Sequence, residues 1–104
     1  MTVQQFEAGL KQACPETYQI AAPKGAQRFV CWHRYGRFPV SGDNRNQVDI
    51  PKVQIDIVTQ NPTDTLVDDV CAALWQMDLP YSVVSEAYDD EYAAIRTILQ
   101  LVVI

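Results

Sequence analysis

The chain has 104 residues, a formal net charge of −5, 48% hydrophobic and 20% charged residues, which are proportions of a folded domain and not of a disordered chain. Its length fits a single domain, which we expect to span residues 1–104. No apolar run approaches the ~18 residues of a membrane span, and the first residues show no secretory signal, so we expect no membrane partner.

The charge is unevenly distributed along the chain. Residues 1–52 hold seven basic and four acidic residues, whereas residues 53–104 hold nine acidic residues and one basic residue, Arg96. An acidic second half argues against sequence readout of nucleic acid, because phosphate binding needs a basic footprint. The split would also let the basic part of one copy face the acidic part of another.

The N-terminal segment predicts a helix followed by a short strand. Thr2 and Gln5 have the spacing of a capping box, and apolar residues then recur at helical intervals. Pro15 should end this helix near Cys14. The segment Thr17–Ala21 is predicted as a short strand.

Two longer strands follow, joined by a polar loop. Residues 28–38 are rich in aromatic and β-favouring types, and Gly36 within them marks an expected bulge or bend. The segment Pro39–Gln47 is predicted as a flexible loop. Apolar residues alternate in Val48–Thr59 and change phase across Pro51, where we expect a bulge or a sheet edge.

The second half predicts one helix and a closing pair of strands. Asn61-Pro62 should start the helix, with the asparagine as N-cap, and Leu79-Pro80 should end it. Tyr81–Tyr88 is predicted as a strand with a polar alternate row. Ala94–Ile104 is apolar on both faces, which favours a central strand or one covered by a partner.

The predicted order is therefore α-β-β-β-α-β-β. This order predicts an α+β fold in which a mixed, mainly antiparallel sheet is packed by two helices.

Sequence motifs for catalysis, metals or cofactors are absent. Cys14, Cys31 and Cys71 form no metal-binding spacing and are predicted as reduced, mostly buried thiols. His33 lies two residues after Cys31, but no third group completes a catalytic set. We therefore expect no enzyme activity, no cofactor and no metal site.

Two further patterns receive ordinary structural interpretations. The acidic run Asp89-Asp90-Glu91 lacks the alternation and glycine of a calcium loop and is interpreted as a hairpin turn. The aromatic residues of 28–38 resemble a stacking platform for single-stranded nucleic acid. However, Phe29 and Trp32 fall on opposite faces of the predicted β-strand, so they do not form one platform.

The layout resembles the tail terminator, or tail completion, proteins of long-tailed bacteriophages. The resemblance is carried by an N-terminal helix, the aromatic strand FVCWHRYGRF, the polar loop SGDNRN, and the strand VQIDIVTQNPTD leading into the helix LVDDVCAALWQM. It implies a homo-hexameric ring that caps the tail tube, stops tube polymerisation and offers a head-joining surface. The implied partners are further copies of the chain, the tail tube protein and the head–tail connector, in the virion tail and in the host cytoplasm during assembly.

A ring needs two different complementary patches on each subunit. We expect the basic patch among arginines and the polar loop, and the acidic patch among carboxylates of the second half. These candidate interface residues are Arg34, Arg37, Ser41, Gly42, Asp43, Asn44, Arg45 and Asn46 on one side, and Asp68, Asp69, Asp89, Asp90 and Glu91 on the other.

Two alternatives stay open at this point. One is a head–tail connector or other neck protein, which keeps the assembly role but changes the partner. The other is a small cytosolic module that binds a protein partner along an exposed strand edge. The mass of the particle at several concentrations separates the assembly proteins from the binding module.

Overall fold

The computed structural model describes residues 2–40 and 48–102. The elements, in chain order, are α1 (Val3–Ala13), β1 (Thr17–Gln19), β2 (Phe29–Val40), β3 (Val48–Thr59), α2 (Leu66–Gln76), β4 (Tyr81–Asp89) and β5 (Ala94–Val102). The α+β class and the order α-β-β-β-α-β-β are confirmed. No helix in the described part of the chain is long and apolar enough to span a bilayer.

The five strands form one mixed sheet in the order β1-β2-β3-β5-β4. The β1–β2 pair is parallel, and the other three pairs are antiparallel. The last strand, β5, lies between β3 and β4, which agrees with its apolar composition on both faces. The strand β4 forms one edge of the sheet.

Both helices pack on one face of this sheet. Phe6 of α1 meets Trp32 of β2 edge-on, with ring centroids 5.3 Å apart. The capping box predicted at the start of α1 is present, since Gln5 N donates to Thr2 Oγ1 and Thr2 N donates to Gln5 Oε1. The buried core of this face comprises Phe6, Leu10, Cys14, Val30, Trp32, Val53, Ile55, Ile57, Leu66, Val70, Leu74, Leu79, Leu99 and Leu101.

The opposite face carries a smaller core and an ionic network. Its buried cluster consists of Phe29, Cys31, Val58 and Ala94. Beside it, Arg96 Nη2 lies 2.7 Å from Asp56 Oδ2, and Arg96 Nη1 lies 3.3 Å from Asp89 Oδ2. These contacts join β3, β5 and the end of β4 across the sheet.

The start of α2 differs from the prediction. The helix begins at Leu66, not at Asn61-Pro62, and Thr65 occupies the N-cap position without a side-chain capping bond. The capping role falls to Asp64, whose Oδ1 accepts a hydrogen bond from Leu66 N at 3.0 Å. The same carboxylate is held by Arg28 through a bidentate pair of 2.7 and 3.0 Å.

Within the described residues, strands β2 and β3 extend beyond the rest of the sheet as a two-stranded ribbon. The described pairing of β5 with β3 ends at Lys52, opposite Val102. Beyond that point Gly36–Val40 pairs with the start of β3, Val48–Pro51 included. We call these two segments, Gly36–Val40 and Val48–Pro51, the arm. The molecule is correspondingly elongated, with extents of 48 × 26 × 22 Å.

The structure of the arm bears on three predictions: the end of β2, the bulge near Gly36 and the irregularity at Pro51. Pro39 and Val40 belong to β2, although they were predicted to be loop. The bulge expected near Gly36 is present, because the β2–β3 register shifts between Arg34 and Gly36. Pro51 pairs with Arg37 in regular register and immediately precedes Lys52, where the described pairing of β3 with β5 begins.

Candidate interaction surface

The helix layer stops short of β4. Val83 of β4 pairs with Leu99 of β5 on the helix side of the sheet, yet Val83 is 59% exposed and Leu99 is fully buried. Tyr81 pairs with Leu101 in the same row, and again the β4 residue is the exposed one. The helices therefore cover β5 and leave the same face of the edge strand open.

This opening exposes a set of large apolar side chains next to α2. Trp75, on the last turn of the helix, is 83% exposed, and Tyr88 is 64% exposed near the far end of β4. A hollow of about 310 Å³ lies between Trp75 and Tyr81, where α2 ends and β4 begins. We call Trp75, Tyr81, Val83 and Tyr88 the β4 ledge. Exposed apolar sets of this kind mark interaction surfaces more often than isolated exposed residues do.

Carboxylates border most of the ledge, while Lys52 lines a second hollow together with Tyr81. Asp78 lines the hollow beside Trp75, and Glu86 is an exposed residue of β4 on the helix side. A hydrogen bond with Cys71 and the nearby charges, Asp68 among them, raise the pKa of the Tyr81 hydroxyl. The only basic residue after Lys52, Arg96, is held by two carboxylates on the opposite face of the sheet. The ledge is therefore an apolar surface with an acidic rim.

The backbone of β4 is open along the same side. Among the described residues, no strand pairs with the outer edge of β4. Every second residue of an antiparallel edge strand directs its N–H and C=O groups outward, where another strand can pair with them. The β4–β5 register shifts between Val83 and Ser85, which leaves Val84 as the extra residue of a bulge. From Ser85 to Asp89 the register is regular and contains no proline.

The predicted basic residues lie at the arm end of the molecule. Arg34 is exposed on β2 immediately before the bulge. Arg37 belongs to the arm, where it pairs with Pro51. The other predicted residues of this patch, Ser41, Gly42, Asp43, Asn44, Arg45 and Asn46, lie outside the described residues.

The predicted acidic residues lie on α2 and at the far end of the β4–β5 hairpin. Asp68 and Asp69 are exposed on the first turn of α2, where Asp69 accepts a hydrogen bond from Thr65 Oγ1 at 3.2 Å. Asp89 is partly buried against Arg96, while Asp90 and Glu91 are exposed in the turn. Because Lys52 pairs with Val102 and Asp89 pairs with Ala94, the arm and this turn lie at opposite ends of β5. The structure thus separates the two predicted patches instead of joining them into one site.

The residues considered for chemistry do not form a reactive site in the described part of the chain. Cys31 is buried, and burial raises the pKa of its thiol, which opposes formation of a nucleophilic thiolate. Within residues 2–35 and 52–102, no three His, Cys, Asp or Glu side chains gather as metal ligands. Phe29 and Trp32 are buried in different cores, so they do not form a stacking platform.

Sequence reasoning missed the β4 ledge itself. The apolar stripe of α2 is Leu66, Val70 and Leu74, all fully buried, and Trp75 lies outside that stripe. Its position one residue past Leu74 was a usable signal of exposure. The apolar row of β4 gave no such signal, because alternation alone does not tell whether a second layer covers the row.

No known protein-family model matches this chain, and no curated protein matches it at a significant level.

Proposed function

We propose that the chain is a structural assembly subunit that joins to copies of itself in a ring at the end of a long-tailed phage tail tube. In this role it stops tube polymerisation and offers a surface for head joining. The proposal combines the sequence resemblance with one observation: the molecule exposes an apolar ledge, bordered mainly by carboxylates, beside an open strand edge, and separately exposes Arg34 on β2. Heterologous contacts between two unlike surfaces of this kind generate rings when the rotation closes.

The charge distribution supports this role more than a catalytic one. The described residues place most of their exposed carboxylates on α2, at its end, on β4 and in the hairpin turn, and the sequence places its basic residues mainly before residue 53. Long-range attraction between unlike ends speeds encounter between copies and fixes their orientation. Burial of the ledge would then supply most of the association free energy, because desolvated aromatic side chains are typical hot spots.

The first test is assembly of a ledge variant. We expect Trp75→Ala to weaken self-association, or capping of purified tail tubes, by about 10-fold or more, since truncating an aromatic hot spot costs about 2 kcal/mol. Light-scattering mass at several concentrations, with and without tubes, measures the first effect. Electron microscopy of tube ends and tube lengths measures the second.

A matched control is Ile20→Ala, because Ile20 is an exposed large apolar residue, 75% accessible, that lies beyond β1 at the other edge of the sheet. It should assemble as the unmodified chain does. Both variants should keep their free energy of unfolding within about 0.5 kcal/mol, as expected for surface positions. A chain that stays monomeric at every concentration and neither binds tube ends nor limits tube length would overturn the proposal.

The open β4 edge specifically favours the binding module as a second candidate function. In that case a single copy of the chain accepts a partner's extended peptide on β4. This candidate would be selected if the chain stays monomeric, does not bind tail tubes and binds an extended peptide with an affinity that falls when Val83 is substituted.

A further inference from the structure

We infer that the hollow at the end of α2 is a cation site, which takes an arginine side chain from the protein segment that lies on the β4 ledge. The hollow measures about 310 Å³ and is lined by Trp75, Asp78, Leu79, Pro80 and Tyr81. We call it the Trp75 hollow. The inference rests on the proposed function, because it names the chemistry of the group that the ledge accepts from its partner.

Two aromatic side chains form walls of the Trp75 hollow. Trp75, on the last turn of α2, is 83% exposed, and Tyr81, at the start of β4, is 37% exposed. In the described part of the chain neither ring is in contact with another aromatic ring, so their faces remain open to a guest. The face of an aromatic ring attracts a cation placed over it, and that of tryptophan does so most strongly.

The electrostatic surroundings of the Trp75 hollow are negative. Asp78 is exposed and forms no ion pair within the described residues. The hollow also lies at the C-terminal end of α2, where the helix dipole places partial negative charge, and the last turn of this fully described helix has no basic residue. The pKa of the Tyr81 hydroxyl is raised, mainly by a hydrogen bond with Cys71 and also by the charge of Asp68. A cation that enters therefore meets attraction from several groups at once.

The position of Lys52 narrows down where the cation binds. Lys52 lines the second hollow, which shares Pro80 and Tyr81 with the Trp75 hollow, but it does not line the Trp75 hollow itself. The indole of Trp75 and the carboxylate of Asp78 thus belong to the hollow that Lys52 does not line. We place the cation between these two groups.

Folding stability does not account for Asp78. The residue lies at φ 59, in the left-handed region that glycine adopts without steric cost. Its negative charge also meets the negative end of α2, which is unfavourable for the helix. Residues held in unfavourable conformations are common at ligand-binding positions, where the interaction with the ligand explains them. A cation beside Asp78 supplies that explanation.

Arginine is the cation that fits this combination of groups best. Its planar guanidinium stacks on an aromatic face and can donate paired hydrogen bonds to a carboxylate. It is also more weakly hydrated than the ammonium group of lysine, so entering the hollow costs it less hydration. The outer edge of β4, unpaired among the described strands, can pair with an extended segment and so hold the backbone that carries the arginine.

A peptide titration followed by NMR tests the site. The probe is the short peptide acetyl-Thr-Val-Arg-Val-Thr-amide, and its matched control carries citrulline, which has the shape of arginine without the charge. The chain has two tryptophans, whose indole N–H signals report on the two positions separately. The Trp75 signal should shift with the arginine peptide, while the signal of the fully buried Trp32 should stay. The citrulline peptide should bind about 5-fold more weakly, in line with the gain of a cation over an exposed aromatic face.

Two variants locate the cation within the Trp75 hollow. Asp78→Asn keeps the size of the side chain and tolerates positive φ, and should weaken binding of the arginine peptide by about 3-fold without affecting the citrulline peptide. Trp75→Leu keeps an apolar side chain, and should remove most of the preference for arginine, measured from the amide signals of β4. The matched control is Glu91→Gln, which removes a carboxylate in the turn at the other end of β4 and should change neither affinity. Urea unfolding of each variant checks that the fold is kept.

The cation site and the proposed function can fail separately. A Trp75 signal that does not shift at millimolar peptide, or equal affinities for the two peptides, would overturn the cation site. A preference for arginine that survives both Asp78→Asn and Trp75→Leu would overturn it as well, because the cation would then bind elsewhere. Light scattering of the unmodified chain with tail tubes tests the other level. Assembly without a preference for arginine would leave the proposed function in place, whereas a preference for arginine in a chain that never assembles would keep the cation site and overturn the proposed function.

Discussion

Asp64 joins three parts of the molecule through a single carboxylate. It accepts two hydrogen bonds from Arg28, one from Thr59 Oγ1 at 2.8 Å and one from the first turn of α2. These donors, Arg28 first, hold the pKa of Asp64 well below its ordinary value of 3.8. The charged form is therefore the one that stabilises the fold.

We expect Asp64→Asn to lower the free energy of unfolding by about 1–3 kcal/mol at pH 7, the usual cost of losing charge-assisted hydrogen bonds. Because the folded pKa is depressed, this stabilisation is present above the ordinary pKa and declines as the pH falls below it toward the folded value. Urea unfolding at pH 7 and pH 3 measures the difference, which should be smaller at pH 3. Asp90→Asn, in an exposed turn, should change neither value. An equal loss at both pH values would contradict this account.

The three thiols differ in exposure. Cys14 and Cys31 are buried, and burial raises the pKa of both, whereas Cys71 is half-buried next to Tyr81. Thiol reagents attack the accessible thiolate, so burial and a raised pKa both slow the reaction.

In a thiol-labelling assay on the native monomer, we expect about one fast equivalent with Ellman's reagent and all three thiols after unfolding. The Cys71→Ser variant should lose the fast phase. Since Cys71 lies under the ledge, assembly should also slow its labelling. A fast phase that survives Cys71→Ser would show that one of the buried cysteines becomes accessible by opening of the fold.

At the scale of elements, the end of α2 has a well-defined stop signal. Leu79 N donates to Leu74 O at 3.0 Å, and Asp78 N donates to Trp75 O at 3.1 Å, which together form a Schellman motif. The residue that takes the left-handed conformation, at φ 59, is Asp78 and not glycine. An acidic residue there also meets the negative end of the helix dipole.

Asp78→Gly should therefore raise the free energy of unfolding, by about 0.5–1 kcal/mol, because glycine adopts positive φ without steric cost. Urea unfolding at neutral pH measures the gain. Asp78→Ala is the matched control: it removes the same charge but keeps a Cβ, and should gain less. A greater gain for alanine would assign the effect to charge instead of backbone conformation.

Helix boundaries show which signals in the sequence are sufficient. The start of α1 was predictable, because Thr2 and Gln5 act on each other within one turn. The start of α2 was not, because the carboxylate that caps it is positioned by Arg28, 36 residues earlier in the chain. Asn61 satisfies local donors instead: its Oδ1 accepts from Thr63 N at 3.0 Å, forming a turn.

Local sequence signals also predict only part of the strand structure. The glycine at position 36 correctly indicated an irregularity in β2. The continuation of β2 through Pro39 was hidden, because it depends on pairing with Asp49 across the ribbon. The apolar row of β4 is indistinguishable in sequence from a buried row, and only the placement of α2 over β5 makes it a surface.

The two ends of the molecule differ in structure and charge, and the composition alone indicated this difference only in part. The arm lies at one end of β5 and the acidic hairpin turn at the other, and the ledge runs along one edge. The sequence located the two signs of charge in the two halves of the chain. Their separation along the sheet follows from the register.

Association of copies should therefore weaken with salt. Raising the ionic strength from about 0.1 M to 1 M shortens the Debye length from about 10 Å to 3 Å and screens the attraction between basic and acidic residues of neighbouring copies. We expect the association constant, measured by sedimentation at several salt concentrations, to fall over this range. Glu86→Arg should flatten the salt dependence, and Glu7→Gln, on α1, should leave it unchanged. Association that strengthens with salt would assign the contact to apolar burial alone.

The central position of β5 affects how the chain is made. The ribosome completes β4 before β5, yet among the described strands β4 pairs with β5 alone. A nascent chain that ends before Ala94 can pair β2 with β3 but leaves β4 unattached. Sheet closure thus waits for nearly all of the described residues to be translated, and a premature stop early in β5 should yield a product that exposes its core instead of a shorter, working subunit.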